Sequence, residues 1–63
     1  MEISEVKAAL GKRVTFRGAA YVLTGCIIRR SDRGYFFYQA EIADLKQNSI
    51  CIVRLDEIEE VET

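Results

Sequence analysis

Histidine is absent from the 63-residue chain. Imidazole is therefore excluded as general base, proton shuttle or metal ligand. Cysteine occurs twice, as Cys26 and Cys51, too far apart for a short-spaced metal-binding pair. A nucleophilic thiol would need a neighbouring base or an electropositive niche to ionise, and no histidine can supply one. No apolar run approaches the roughly 18 residues of a membrane span. The opening Met1-Glu2-Ile3-Ser4-Glu5 lacks the basic start and apolar stretch of a secretory signal. These absences predict a non-enzymatic protein with no catalytic residue, no metal and no cofactor. They also predict a cytoplasmic location, free thiols and no membrane partner. The carboxylates from Asp56 to Glu62 do not alter this, because successive side chains on a strand point to opposite faces and do not converge on a cation.

Apolar residues make up 49% of the chain, enough for one globular domain over residues 1–63 and too many for a disordered tail. A core this small is marginal by itself, and association with another subunit is one common remedy. The net charge of −1 conceals two opposed halves. Residues 12–33 carry Lys12, Arg13, Arg17, Arg29, Arg30 and Arg33 against Asp32. Residues 41–63 carry Glu41, Asp44, Asp56, Glu57, Glu59, Glu60 and Glu62 against Lys46 and Arg54. Such a bipolar chain suits a charged partner or head-to-tail self-association.

The spacing of Ile3, Val6 and Leu10, stopped by Gly11, predicts a helix over about 3–10 with Ser4 as its cap. Alternation of apolar and polar residues then predicts strands over about 13–17, 20–30, 35–44, 49–55 and 58–62. Gly18, Ser31-Asp32-Arg33-Gly34 and Lys46-Gln47-Asn48 mark the turns between them. Asp56-Glu57 reads as one tight turn before the last strand. Pairing Arg17 with Ala20 sets Phe16 against Tyr21 and Val14 against Leu23. Pairing Arg30 with Tyr35 sets Ile27 against Tyr38, Gly25 against Ala40 and Leu23 against Ile42. Pairing Asp44 with Ser49 sets Ile42 against Cys51, Ala40 against Val53 and Tyr38 against Leu55. All three hairpins send one set of apolar side chains to one side, an agreement that a slip of one residue would destroy. Gly25 opposite Ala40 is expected to give the room a tightly curled sheet needs, so that Gly25→Val would crowd Ala40. The same register sends Cys26 outward and Cys51 inward, and makes Phe36 and Tyr38 core residues. The expected fold is mainly β: a small, strongly bent five-stranded antiparallel sheet or SH3-like barrel with a short N-terminal helix.

The opposite face reads less polar than a solvated face should. Ile28 opposite Phe37, Ile50 opposite Ala43, Ile52 opposite Glu41, and Tyr35 all point outward in this register. An outer apolar patch calls for a partner, a second subunit or cover by the helix. Ile28, Tyr35, Phe37, Ile50 and Ile52 are therefore the candidate protein-interaction residues of a self-associating assembly module, with a homo-oligomer or another protein as partner. The alternative is nucleic acid, with Arg13, Arg17, Arg29, Arg30 and Arg33 meeting phosphates and Tyr35 or Phe37 stacking on bases. An isoelectric point near 5.3 weighs against it. Order and punctuation, from helix to the closing Leu55-Asp56-Glu57-Ile58, resemble the small SH3-like barrels, including the Sm-like branch with its leading helix and long bent second strand. The resemblance is one of pattern. It implies a barrel with a tight turn before the fifth strand. No Asp-x-x-Asn-type loop stands where Ser31-Asp32-Arg33-Gly34 does, so uridine recognition does not follow from it.

Overall fold

The computed structural model describes residues 1–61. A helix, α1 (Ile3–Ala9), is followed by strands β1 (Arg13–Phe16), β2 (Ala19–Arg30), β3 (Phe36–Ala43) and β4 (Ile50–Arg54). A single 3-10 turn, Leu55–Glu57, then leads into β5 (Ile58–Glu60). The expected end of the fifth strand at residue 62 lies outside the described residues. The strands form one antiparallel sheet in the order β4-β3-β2-β1-β5. β4 and β5 remain its two edges, so among the described residues the sheet does not close into a barrel.

Each hairpin follows from its turn. Arg17 and Gly18 both have positive φ, at 50° and 80°. They form a two-residue loop that pairs Phe16 with Ala19, the mirror-image turn whose twist suits a hairpin. Val14 consequently faces Tyr21 rather than Leu23, and Phe16 faces Ala19 rather than Tyr21. This shift of two residues preserves the inward phase. In the third turn the Asp44 carboxylate accepts the Asn48 N–H at 2.7 Å, and Asp44 N–H reaches the Ser49 carbonyl at 3.2 Å. The expected partners Ile42–Cys51 and Ala40–Val53 follow.

The middle hairpin departs from expectation. Ser31 N–H donates to the Tyr35 carbonyl at 2.8 Å and Gly34 N–H to the Ser31 carbonyl at 3.0 Å, with Gly34 at φ 91°. The loop therefore holds Asp32, Arg33 and Gly34, and Arg30 pairs with Phe36, not Tyr35. At the other end Leu23 still pairs with Ile42. The extra residue is taken up by a bulge between Leu23 and Gly25, where Thr24 donates its hydroxyl to the Glu41 side chain at 2.8 Å. Beyond the bulge every side chain of β2 changes face relative to the expected register. Cys26, not Gly25, lies opposite Ala40, and Ile28, not Ile27, lies opposite Tyr38.

The core comprises Val6, Ala9, Val14, Leu23, Ala40, Ile42, Leu55 and Ile58. Phe16, Tyr21, Cys26, Tyr38 and Val53 pack against it as half-buried neighbours. α1 docks Val6 and Ala9 on this concave side, whereas Ile3 and Leu10 stay largely exposed. Glu2, not Ser4, caps the helix: its N–H donates to the Glu5 carboxylate at 3.0 Å, and Glu5 N–H donates to its carbonyl at 3.0 Å. The Met1 ammonium donates to the carbonyls of Leu55 and Ile58 at 3.2 and 2.8 Å. It thereby ties the start of α1 to the turn before β5.

Gly25 faces Glu41, and a β-carbon there would come no closer than 3.4 Å, to the flexible carboxylate. The expected clash with Ala40 does not arise. In urea titrations Gly25→Ala should be neutral or stabilising by up to about 1 kcal/mol. Gly18→Ala, at φ 80°, should cost about 1–2 kcal/mol.

Candidate interaction surface

Side chains alternate along each strand, so the register divides the exposed apolar residues between two surfaces. On the outer side Phe37 of β3 lies in phase with Ile50 and Ile52 of β4 and with the half-buried Ile27 of β2. Phe37, Ile50 and Ile52 are 39, 61 and 47% exposed. The helix does not cover them, because its buried residues belong to the core on the other side of the sheet. Gln39, Glu41 and Arg54 interrupt this row, with Gln39 accepting a hydrogen bond from the Arg29 guanidinium.

Ile28 belongs to the other surface. The bulge places it across from Tyr38 and in phase with Phe36 and Arg30. Phe36, expected in the core, is 62% exposed, and Ile28 is 63% exposed. Both lie on the distal arm of the β2–β3 hairpin, past the reach of the buried helix residues. Tyr35 closes the tip and is also exposed. Of the five candidate interaction residues, the fold thus brings Phe37, Ile50 and Ile52 onto one face. It leaves Tyr35 at the arm's tip and Ile28 on its concave side. Ile27 joins the outer row, and sequence reasoning missed it because Cys26, Ile27 and Ile28 are consecutive apolar residues that fit either phase.

The basic residues also separate. Arg29, Arg30 and Arg33 gather at the tip of the arm, interleaved with Tyr35, Phe36 and Phe37. Arg13 opens β1 and Arg17 follows its other end in the first turn, both beside the β5 segment and away from the tip of the arm. Arg17 lies 5.0 Å from the centre of the Phe16 ring and 3.8 Å from the Glu57 carboxylate. Phe16 and Tyr21 meet edge to face at 6.2 Å, which accounts for these two rings as hairpin packing.

Between the base of the arm and the N-terminus runs a groove of about 540 Å³. Met1, Ile3, Tyr35, Phe37, Tyr38 and Leu55 supply its apolar walls, and Glu2, Gln39, Arg54 and Asp56 its polar ones. Arg54 and Asp56 are bonded to each other at 2.8 Å. Among the described residues, no three His, Cys, Asp or Glu side chains gather as metal ligands, and no helix is long and apolar enough to cross a membrane.

Both cysteines are free. Their environments reverse the expectation. Cys26 turns inward past the bulge and packs against the core, while Cys51, though in phase with Ile42, is exposed on the edge strand. Burial pushes the Cys26 thiol up from its ordinary range. No protein-family model, curated protein or solved structure matches the chain.

Iodoacetamide at neutral pH should therefore alkylate the exposed Cys51 first and the half-buried Cys26 more slowly. Peptide mass mapping at short times checks this. Faster labelling of Cys26 would place it on the outer face.

Proposed function

We propose that this chain is a non-enzymatic binding and assembly module that self-associates through the outer face of its sheet. The observation that carries the proposal is the uncovered row of Phe37, Ile50 and Ile52, backed by Ile27. Exposed apolar side chains gathered on one face of a small domain favour burial against a second surface, even with polar residues set among them. A core of this size gains proportionally more from such burial than a large one does. The opposed charges of the two halves supply orientation in the encounter. We read the fold as a small SH3-like barrel with an open seam. Three features support that reading: the strand order β4-β3-β2-β1-β5, the long bent β2, and the 3-10 turn between β4 and β5.

A second reading rests on the arm. Arg29, Arg30 and Arg33 stand among three exposed aromatic rings, the pairing of charge and stacking surface that single-stranded nucleic acids use. Arg13 and Arg17 do not extend this cluster, and the acidic segment from Asp56 to Glu60 opposes a polyanion on the rest of the surface.

Sedimentation velocity over a range of concentrations tests the first reading. The parent chain should show a concentration-dependent increase in mass. Ile52→Asp should weaken association about tenfold or more, while changing stability by less than about 1 kcal/mol, as an exposed substitution does. Ile42→Asp should unfold the domain, since Ile42 is fully buried. A chain that stays monomeric, and instead shifts single-stranded RNA or DNA with a steep salt dependence abolished by Arg30→Glu and Arg33→Glu, would transfer the function to the arm.

A further inference from the structure

We infer that two copies of the chain join edge to edge, β4 antiparallel to β4, about a twofold axis at Cys51. The inference rests on the self-association proposed above and specifies its geometry.

Among the described residues β4 and β5 are the two edges of the sheet, and they differ in what their main chains leave unpaired. Alternate residues of an antiparallel strand direct both N–H and C=O to the same side. Asp44 N–H bonds the Ser49 carbonyl, which sets the phase: Ser49, Cys51 and Val53 direct their groups to β3. Ile50 and Ile52 therefore direct theirs away from the sheet, where no backbone group among the described residues meets them. Ile50, Cys51 and Ile52 are all exposed, so the strand is accessible there from both faces.

On β5, Val61 N–H bonds the Arg13 carbonyl, which turns Ile58 and Glu60 outward. Ile58 is already engaged. Its N–H donates to the Leu55 carbonyl, and its own carbonyl accepts the Met1 ammonium at 2.8 Å. Only Glu60 is left to receive a strand, in a segment that also carries Glu57 and Glu59. A head-to-tail chain of β4 on β5 thus lacks its second edge, and the closed twofold pair is the arrangement that β4 can make.

Charge favours a second copy as the occupant. A twofold sets identical segments side by side, and like charges placed opposite each other destabilise a sheet. Residues 49–53 of β4 and its approach carry no charge, whereas β5 is acidic. Open edges are ordinarily protected by charged side chains; this stretch has none before Arg54.

The register follows from the unpaired groups. An axis at Cys51 sets Ile50 against Ile52 of the second copy. The pairing closes four main-chain bonds, each between groups with no other partner. An axis at Ile52 or Val53 sets Arg54 against an isoleucine instead. Arg54 precedes the 3-10 turn as its N-cap, so its carbonyl accepts the first bond of that turn, and its guanidinium is held on Asp56 at 2.8 Å. With the axis at Cys51 the two Ile50–Ile52 contacts lie on the outer face and make the apolar rows of both copies continuous. The two Cys51 side chains meet on the opposite face, in the kind of pair whose side chains approach most closely.

The test follows amide hydrogen exchange of the ¹⁵N-labelled full chain, at concentrations that sedimentation shows to be monomeric and dimeric. At about nine-tenths dimer, the Ile50 and Ile52 amides should exchange about tenfold more slowly than in the monomer. The Cys51 and Val53 amides, already bonded to β3, should change little. Diamide, which takes up the two thiol hydrogens, should link Cys51 to Cys51 at a rate that stops rising with concentration once the chain is dimeric. Peptide mass mapping identifies the linked residues. A chain that is monomeric at every concentration overturns the inference and the proposed self-association together. A dimer whose Ile50 and Ile52 amides exchange as in the monomer overturns the inference alone, leaving the outer faces in contact by another route. Protected amides without the Cys51 disulfide overturn the axis at Cys51.

Discussion

Two registers compete along β2, and the bulge at Thr24 lets both stand. Near the core, Leu23 must meet Ile42, because both are fully buried and their side chains fill the space under α1. At the far end, Asp32-Arg33-Gly34 closes the hairpin only with Arg30 across from Phe36. These two demands differ by one residue. One extra residue in one strand is the smallest defect that reconciles them, and it also bends and twists the strand. Gly25 supplies the place where no side chain competes, and the Thr24 hydroxyl bonds both the carbonyl and the carboxylate of Glu41, at 3.0 and 2.8 Å. Phase on the arm, exposure of the aromatics and the position of both cysteines all descend from this one accommodation.

The reach of the helix sets the second boundary. α1 spans only seven residues and buries Val6 and Ala9. Held by Gly11 N–H to the Leu23 carbonyl at 2.8 Å, and by the Met1 ammonium at Leu55 and Ile58, it covers the body of the sheet and stops there. A helix this short has little stability apart from its docking, so its position is dictated by the core it covers. The arm beyond it has no second layer. That is why Phe36 and Ile28, whose phase matches that of Tyr38 and Ala40, are nevertheless exposed.

Legibility in the sequence varied with how strictly each segment alternates. The β3–β4 register was legible to the residue, because Asp44 begins a well-marked turn and Tyr38, Ala40 and Ile42 alternate with Phe37, Gln39 and Glu41; only its expected last pair, Tyr38 with Leu55, gives way to the 3-10 turn. The first hairpin was legible in phase only. Gly18 marks its turn, but the left-handed backbone of Arg17, unusual for a residue with a β-carbon, moved the pairing by two. The middle hairpin was legible in extent and wrong in distal register. Cys26-Ile27-Ile28 is apolar in either phase, so pattern alone offers no penalty for the wrong one. Glu2 escaped notice as the helix cap because serine at position 4 is the better capper by propensity. Tertiary anchoring of Met1 decides the start instead. Of the proposed outer face, Phe37, Ile50 and Ile52 were legible. Ile27 was not, since its phase is set by the bulge at Thr24 rather than by its own neighbours in sequence.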